Sequence, residues 1–509
     1  MRTCDKPSTP YLQVVDGEGV CEQTGLRLAD IWRYFRHTWA TPYTNAPGRK
    51  FWILVRDRAA KFHPVIGIAA FDNAVVQLGP RDKWIGWLAK PFMARIRSEA
   101  SRDWAVWLQK SAEEMAEAVY CDDFVREKVI SRKEIENPTD DAIARLEELA
   151  AAERKKHDAN PQANLHKLEE ENVADVDWMA RAQTHLFRAK RAEALARALQ
   201  VRKGLKKCGF TEATKDALSK VLADTGGRRA IEIVLRHVKA TRIGINLLEI
   251  TICGAVAPYN ALLGGKLVAM LLTSSEVAQE YERWYRKAYS VIASSTAARS
   301  VQRRPNLAAI GTTSLYGVGS AMYNRIAIPA EEVGGRPGNV VRYQELGKSV
   351  GFGSMQFSSA TIDEIETVLK AQEGGRQINH IFGEGVSPRL RMVRSGMEAV
   401  GLPPDKLMQH GTPRIVYGIA LAEQFREVLL GQRVNKPRYF FPFEDNSNVT
   451  RGIGDYWIRR WLTRRIERDE VLAEVERNTP VYPVTHGARV ELPPLGNEEP
   501  SLFDFLDES

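Results

Sequence analysis

Cysteine is scarce in this chain and dispersed: Cys4, Cys21, Cys121, Cys208 and Cys253 are odd in number, and no two form a C-x-x-C pair. That spacing excludes a disulfide framework and a cysteine zinc site, and leaves free thiols as the expectation. Long apolar runs are missing too. The most apolar stretch, Ile250 to Ser275, is interrupted by Pro258, Asn260, Gly264, Gly265 and Lys266. It falls short of the roughly 20 unbroken apolar residues of a spanning helix, so no membrane partner is expected. The start, MRTCDKPSTP, has no apolar stretch after its charges, which predicts a cytoplasmic protein. No internal repeat is visible. No acidic cluster of metal-binding type stands out, which puts a nuclease last among functional readings. His380 and His410 stand without a third ligand at metal spacing, so no metal is expected.

What is present suits a folded body. Apolar residues make up 44% and charged residues 27% of 509 positions, close to the averages of globular proteins. A chain of this length predicts two to four packed units. The net charge is +8, and one segment accounts for it. Residues 181–207 carry Arg181, Arg188, Lys190, Arg191, Arg197, Arg202, Lys203, Lys206 and Lys207 against the single acid Glu193. Such a concentration predicts a surface that meets phosphates, with nucleic acid as the partner.

Periodicity divides the chain. Leu26 to Trp39 has helical spacing, whereas Phe51 to Arg56 and Val65 to Leu78 read as adjacent strands. Residues 1–90 therefore form the first half of an α+β core. From 91 to 240 the composition turns to Ala, Glu, Arg, Lys and Leu, and predicts a charged helical insertion broken at Asn137-Pro138 and Asn160-Pro161. Strand signals return at Leu247 to Val256, followed by a glycine turn, an apolar helix from Lys266 to Leu272 and a charged helix from Glu276 to Ile292. Further strand-like runs are Leu307 to Tyr316, Tyr323 to Ile328 and Gly351 to Ser358. Ser359 to Gln372 and Arg389 to Val400 read as helices. Residues 241–435 thus complete a mixed-sheet core. The remainder divides into a helical C-terminal extension (436–492) and an acidic, disordered tail (493–509). In the extension, Tyr456 to Arg468 sets Trp457, Ile458, Trp461, Leu462 and Ile466 on one helical face and Arg459, Arg460, Arg464 and Arg468 on the other.

Six phrases carry a resemblance: RDKWIGW (81–87), APYNALLGGKL (257–267), TTSLYGVGSAMYNRI (312–326), VGFGSMQFS (350–358), FGEGVSPRLR (382–391) and HGTPRIVYGIAL (410–421). In this order they resemble the DruA-like family of the Druantia anti-phage system. The resemblance implies antiviral defence and, as partners, other defence components; it implies no chemistry.

Three loops invite chemistry. Asn260, Gly264, Gly265 and Lys266 lie between strand and helix, where bare backbone N–H groups approach a phosphate. The order strand, glycine turn, helix is similar to a GNAT acyltransferase, where such a turn holds the coenzyme A pyrophosphate. Ala261 stands where that fold usually has Arg or Gln, and Lys266 where it has a small residue. Tyr316, Tyr323 and Arg325 surround glycines after a strand: the phenols are candidate proton donors, and Arg325 a clamp for a phosphate or carboxylate. Glu384, between glycines, is a candidate base, followed by Arg389 and Arg391 for phosphates. Arg81 to Trp87 mixes charge with indole, a pattern that serves base stacking or a sheet edge folding its tryptophans inward. In the tail, Ser501-Leu502-Phe503 looks like part of a peptide that docks on the polymerase sliding clamp. Two readings remain open: an acyltransferase using an acyl-coenzyme A cofactor, and a non-catalytic DNA-binding adaptor.

Overall fold

The computed structural model describes residues 8–39, 48–159, 176–314, 319–320, 322–351, 353, 357–371, 388–409, 411, 413–432, 434 and 437–477. Its frame is a seven-stranded mixed sheet. The strands are β1 (Pro10–Val15), β2 (Lys50–Asp57), β3 (Val65–Asn73), β4 (Leu247–Ala255) and β5 (Ala309–Thr313). A two-stranded ribbon follows, β6 (Ala327–Pro329) with β7 (Val340–Arg342), before β8 (Gln344–Lys348) and β9 (Ile415–Ala420). The spatial order is β1-β2-β3-β4-β5-β9-β8. Every neighbouring pair is antiparallel except β4 and β5, which run parallel.

Alternation along the strands explains why the sheet is covered on both faces. Phe51, Ile53 and Val55 of β2 join Leu248 and Ile250 of β4 in the main core, under the helices Lys266–Leu271, Ser275–Tyr285 and Asn446–Trp457. Leu54 of β2 and Ile68 of β3 face the other way, against Leu28 and Trp32 of the helix Leu28–His37. A bulge reverses the faces within β4. Ala70 opposes Ile252 and Phe71 opposes Ile250, leaving Thr251 as the extra residue. Its hydroxyl donates to Asp72 Oδ2 at 2.7 Å, and Ile252 packs on the face opposite Ile250.

The parallel pairing stops at the same place. β4 and β5 are in register from Leu247–Ala309 to Ile250–Thr312, after which β4 runs on beside β3 alone. Tyr323 occupies the gap, hydrogen-bonded to Cys253 of β4 and Thr312 of β5 and stacked on Tyr343 at 4.8 Å.

The described residues between 91 and 240 are mainly helical, and the longest helix among them, His185–Lys207, packs against Asp140–Ala159 and Thr225–Arg242. The block meets the sheet directly, because Val234 and Val238 share a core with Leu247, Ala309 and Phe425. A buried ion network ties the parts together. Arg81 is fully buried; it donates to Glu249 of β4 at 2.7 Å and to Asp82 at 2.9 Å, and Lys239 reaches Asp82 from the helix Thr225–Arg242 at 2.6 Å.

Several expected elements are corrected. Tyr323 lies in a turn, so only Ala327–Pro329 of the run Tyr323 to Ile328 is strand. The described residues of Gly351 to Ser358 contain no strand; the sheet's last edge is Gln344–Lys348. The helix from residue 276 ends at Tyr285, because the chain turns back to pair Tyr289 with Gln302 and Ser290 N–H with the Val301 carbonyl. The basic helix near the carboxyl end widens into a π turn, Ile458–Leu462, so Ile466 is exposed while Trp457 and Leu462 stay buried. No helix among the described residues is long and apolar enough to cross a membrane.

Candidate functional site

The basic segment 181–207 spends much of its charge internally. Arg191 is fully buried: it donates to both carboxylate oxygens of Asp123, at 2.7 and 2.8 Å, and to the carbonyls of Tyr120 and Ala182. Burial pushes the Asp123 carboxyl up, but the hydrogen bond and charge of Arg191 outweigh it and hold the group below the usual carboxylate range. Arg188 makes a two-point pair with Glu127 and a further bond to Asp123. The reading of these two arginines as phosphate ligands is corrected, since both are held by carboxylates inside the block. Lys203 pairs with Asp140, and Arg197 lies 3.7 Å from Glu193. Arg202 donates to the Ile135 carbonyl and Lys206 to that of Glu136. Arg181 and Lys190 lie over Phe187, at 5.9 and 5.5 Å, and Lys207 is exposed.

The other candidates fall in three places. Tyr316, Glu384, His380, His410 and the tail lie outside the described residues. Arg389, on the helix Pro388–Ala399, donates to the Phe357 carbonyl; Arg391 on the same helix is half-buried. Arg459 pairs with Glu332 at 3.3 Å, Arg460 donates to the Tyr456 hydroxyl, and Arg464 and Arg468 are exposed. Arg81 and Asp82 belong to the buried network. Trp87 is buried, donating to the Leu429 carbonyl, and Trp84 stacks on Phe425 at 4.5 Å.

The glycine turn sits past the opening of β4 from β5. Asn260–Leu263 forms one helical turn, Gly264 takes φ of +54°, where a side chain is strained, and Lys266 starts the next helix. A Cβ at Gly264 would stand 3.6 Å from Arg465 Nη1, and one at Gly265 would lie 1.9 Å from the Met322 sulfur. The turn is therefore packed under Met322. Burial, with Arg325 and Arg465 nearby, lowers the Lys266 ammonium below its usual range. Tyr323 is buried and its phenol is pushed well above the usual value by desolvation. A proton donor needs the opposite shift, so in this conformation Tyr323 is a plug between two strands.

A cationic group that the sequence reading passed over lies at the other end of the parallel pair. Register puts the starts of β2, β4 and β5 at one end of the sheet. Around them stand Arg49, Lys50, Arg242, Arg286, Lys287, Arg299, Arg303 and Arg304. Direct contacts make them one neighbourhood. Lys50 N–H donates to the Tyr285 hydroxyl, Arg49 lies over the Tyr285 ring at 5.3 Å and donates to the Gly244 carbonyl, and Arg303 donates to the Thr241 carbonyl at 3.2 Å. Gln302 donates to the Lys287 carbonyl at 3.3 Å, closing the loop that bears Arg299, and the Arg304 carbonyl accepts from Asn246 at 3.4 Å. Among the described residues none of these eight cations forms an ion pair, whereas the basic helix His185–Lys207 has several. The signal was present in the sequence: residues 284–304 hold Arg286, Lys287, Arg299, Arg303 and Arg304 and no acid.

Burial dominates the electrostatics there. It pushes the Arg303 guanidinium down to about 10, with Arg242 and Arg49 adding like charge. It also pushes the His237 imidazole down to about 4, with Arg303 and Arg197 adding to the effect.

A profile of the family described as "Druantia protein DruA" matches residues 20–98 and 236–431, just over half of the chain. Every strand of the sheet except β1, the glycine turn and all eight of these cations lie inside these spans, and most of the helical block, including 181–207, lies outside them. Druantia protein DruA of Escherichia coli (strain UMEA 4076-1) is 30% identical over 194 residues, covering 38% of this chain and 43% of that protein. The chain thus spans under half the length of this curated relative. No solved structure matches. With every strand but β1, the glycine turn and the cationic sheet end drawn from the matched spans, the chain belongs to the Druantia protein DruA family.

Proposed function

We propose that this protein works in anti-phage defence of the Druantia type by holding nucleic acid against the sheet end that carries Arg49, Lys50, Arg242, Arg286, Lys287, Arg299, Arg303 and Arg304. The observation that carries the reading is that these cations form no ion pairs among the described residues. A half-buried guanidinium without an ion-pair partner is costly unless a bound anion compensates it, and a phosphate chain does so. Tyr285 and Tyr289 lie among the charges and add faces on which bases stack. The contact is to the backbone, and the protein serves as an adaptor that brings other defence components to the strand.

The test uses the full chain and short DNA duplexes, with affinity followed by fluorescence anisotropy between about 50 and 200 mM salt. Reversing Arg286, Lys287, Arg299 and Arg304 to Glu should weaken binding and flatten the logarithmic salt slope by about 3 to 4, since each lost phosphate contact removes about 0.9. An unchanged slope rejects this surface.

One observation favours acyl transfer as a second reading. The sole parallel pair of the seven-stranded sheet opens beyond Ile250 and Thr312, and the Gly264-Gly265 turn, with Lys266, Arg325 and Arg465 beside it, stands past the opening. This supports a GNAT-like core with the pyrophosphate of acyl-coenzyme A on the turn, once Met322 moves aside. A saturable thermal shift with acetyl-coenzyme A that Gly264→Trp abolishes is the expected result; no shift sinks this reading.

A further inference from the structure

Within the cationic sheet end, three arginines differ from the other five. Lys50, Arg286, Lys287, Arg299 and Arg304 are exposed, whereas Arg49, Arg242 and Arg303 are partly buried. Two of the three clasp one turn, Arg303 on the Thr241 carbonyl and Arg49 on the Gly244 carbonyl, and Arg242 belongs to that turn. Asn246, fully buried, fixes the opposite loop by donating to the Asn306 carbonyl at 2.8 Å. Arg49 is further oriented by the Tyr285 ring. The Nε atoms of both Arg49 and Arg242 are buried and have no hydrogen-bond partner. A helix C-terminus attracts one cation, which does not explain three guanidiniums that form no ion pair among the described residues, the Glu114 carboxylate acting on Arg242 only from beyond pairing distance. His237, neutral beside Arg303, adds no charge of the opposite sign.

We propose that Arg49, Arg242 and Arg303 form a pocket for a phosphomonoester dianion, the terminal phosphate of a nucleic-acid strand or of a free nucleotide. The inference rests on the nucleic-acid reading for its setting, and adds that one end of the bound strand is recognised. A backbone diester carries a single negative charge and leaves most of the site uncompensated. A terminal phosphate carries nearly two, with three oxygens that accept from the planar forks of arginine. The exposed cations then track the strand away from the pocket.

The experiment compares one oligonucleotide with a 5′-phosphate, with a 3′-phosphate and with hydroxyls at both ends, on the full chain and on Arg303→Gln. One phosphorylated form should bind roughly tenfold more tightly than the hydroxyl form, and Arg303→Gln should remove that difference by weakening the phosphorylated form far more than the hydroxyl form. Equal binding of all three forms by the unaltered protein overturns the pocket without touching the general nucleic-acid reading. If no oligonucleotide binds, the nucleic-acid reading fails, and the pocket is judged by thermal shift with inorganic phosphate and a nucleoside monophosphate. A shift lost in Arg303→Gln sustains it with a free nucleotide as the source, and no shift ends it. Folding is controlled internally, because Arg303→Gln removes like-charge crowding and should raise the anion-free melting temperature. Arg303→Lys, which keeps the charge without the fork, should lose most of the end preference.

Discussion

Removing Arg81 should split the protein's stability by pH. This side chain is fully buried between Glu249, at 2.7 Å, and Asp82, at 2.9 Å, in the network that joins the helix Gly79–Ile85, β4 and the helix Thr225–Arg242. Arg81→Met keeps a long apolar stem but leaves Glu249 buried without its cation. Breaking a buried pair from one side costs about 3–5 kcal/mol, because the remaining charge is uncompensated. Burial already raises the Glu249 carboxyl above its usual value against the pull of Arg81, so losing Arg81 raises it further. A carboxyl with a raised native pKa is stabilised below its unfolded value and loses that contribution as pH rises through the native one. The full cost of Arg81→Met therefore appears near pH 8 and shrinks toward pH 5, where Glu249 takes a proton in place of the cation. Urea unfolding followed by tryptophan fluorescence reads it, since Trp84 and Trp87 flank the network. Adding Glu249→Gln to Arg81→Met should recover a large part of the loss at pH 8 and little at pH 5. A loss below about 1 kcal/mol at pH 8, or one that does not depend on pH, refutes the reasoning.

Two further outcomes follow from the same electrostatics. Arg191→Leu should destabilise the helical block by about 3–5 kcal/mol, because Asp123 is left buried, and should leave the salt slope of DNA binding unchanged; a flattened slope would return Arg191 to the interface. His237, held down to about 4 by burial and by Arg303 and Arg197, binds its proton more readily in the unfolded chain. Its contribution is present above the usual value near 6.5 and is lost as pH falls toward 4, by up to about 3 kcal/mol. His237→Gln should flatten stability across that interval, and an unchanged pH profile would show that the imidazole is already charged.

The elements that were legible in the sequence are those whose own pattern suffices. β2, β3 and β4 are apolar runs buried on both faces, and the helical block has Ala-rich periodic stretches with caps such as Ser101 and Ser131. The reading missed β8, because Gln344–Lys348 is a polar edge strand paired on one side only, and such strands show no alternation. The opening of β4 from β5 depends on the bulge at Thr251 and on Tyr323 arriving from a later loop; neither has a local sign in the strand.

Charge was legible as a count and misleading as a surface. The run from Arg181 to Lys207 stands out along the chain, yet Arg191 meets Asp123 from 68 positions away, and folding alone brought that carboxylate to it. The acid-free stretch from Trp284 to Arg304 is readable by counting, but Arg49 and Arg242 join it only because antiparallel and parallel registers bring three strand starts to one end of the sheet. The sequence by itself determined how many cations exist and which segments form helices and central strands. Tertiary structure decided which cations are neutralised, because ion pairing acts over a few ångströms and a linear chain holds no record of which distant carboxylate will stand within that range.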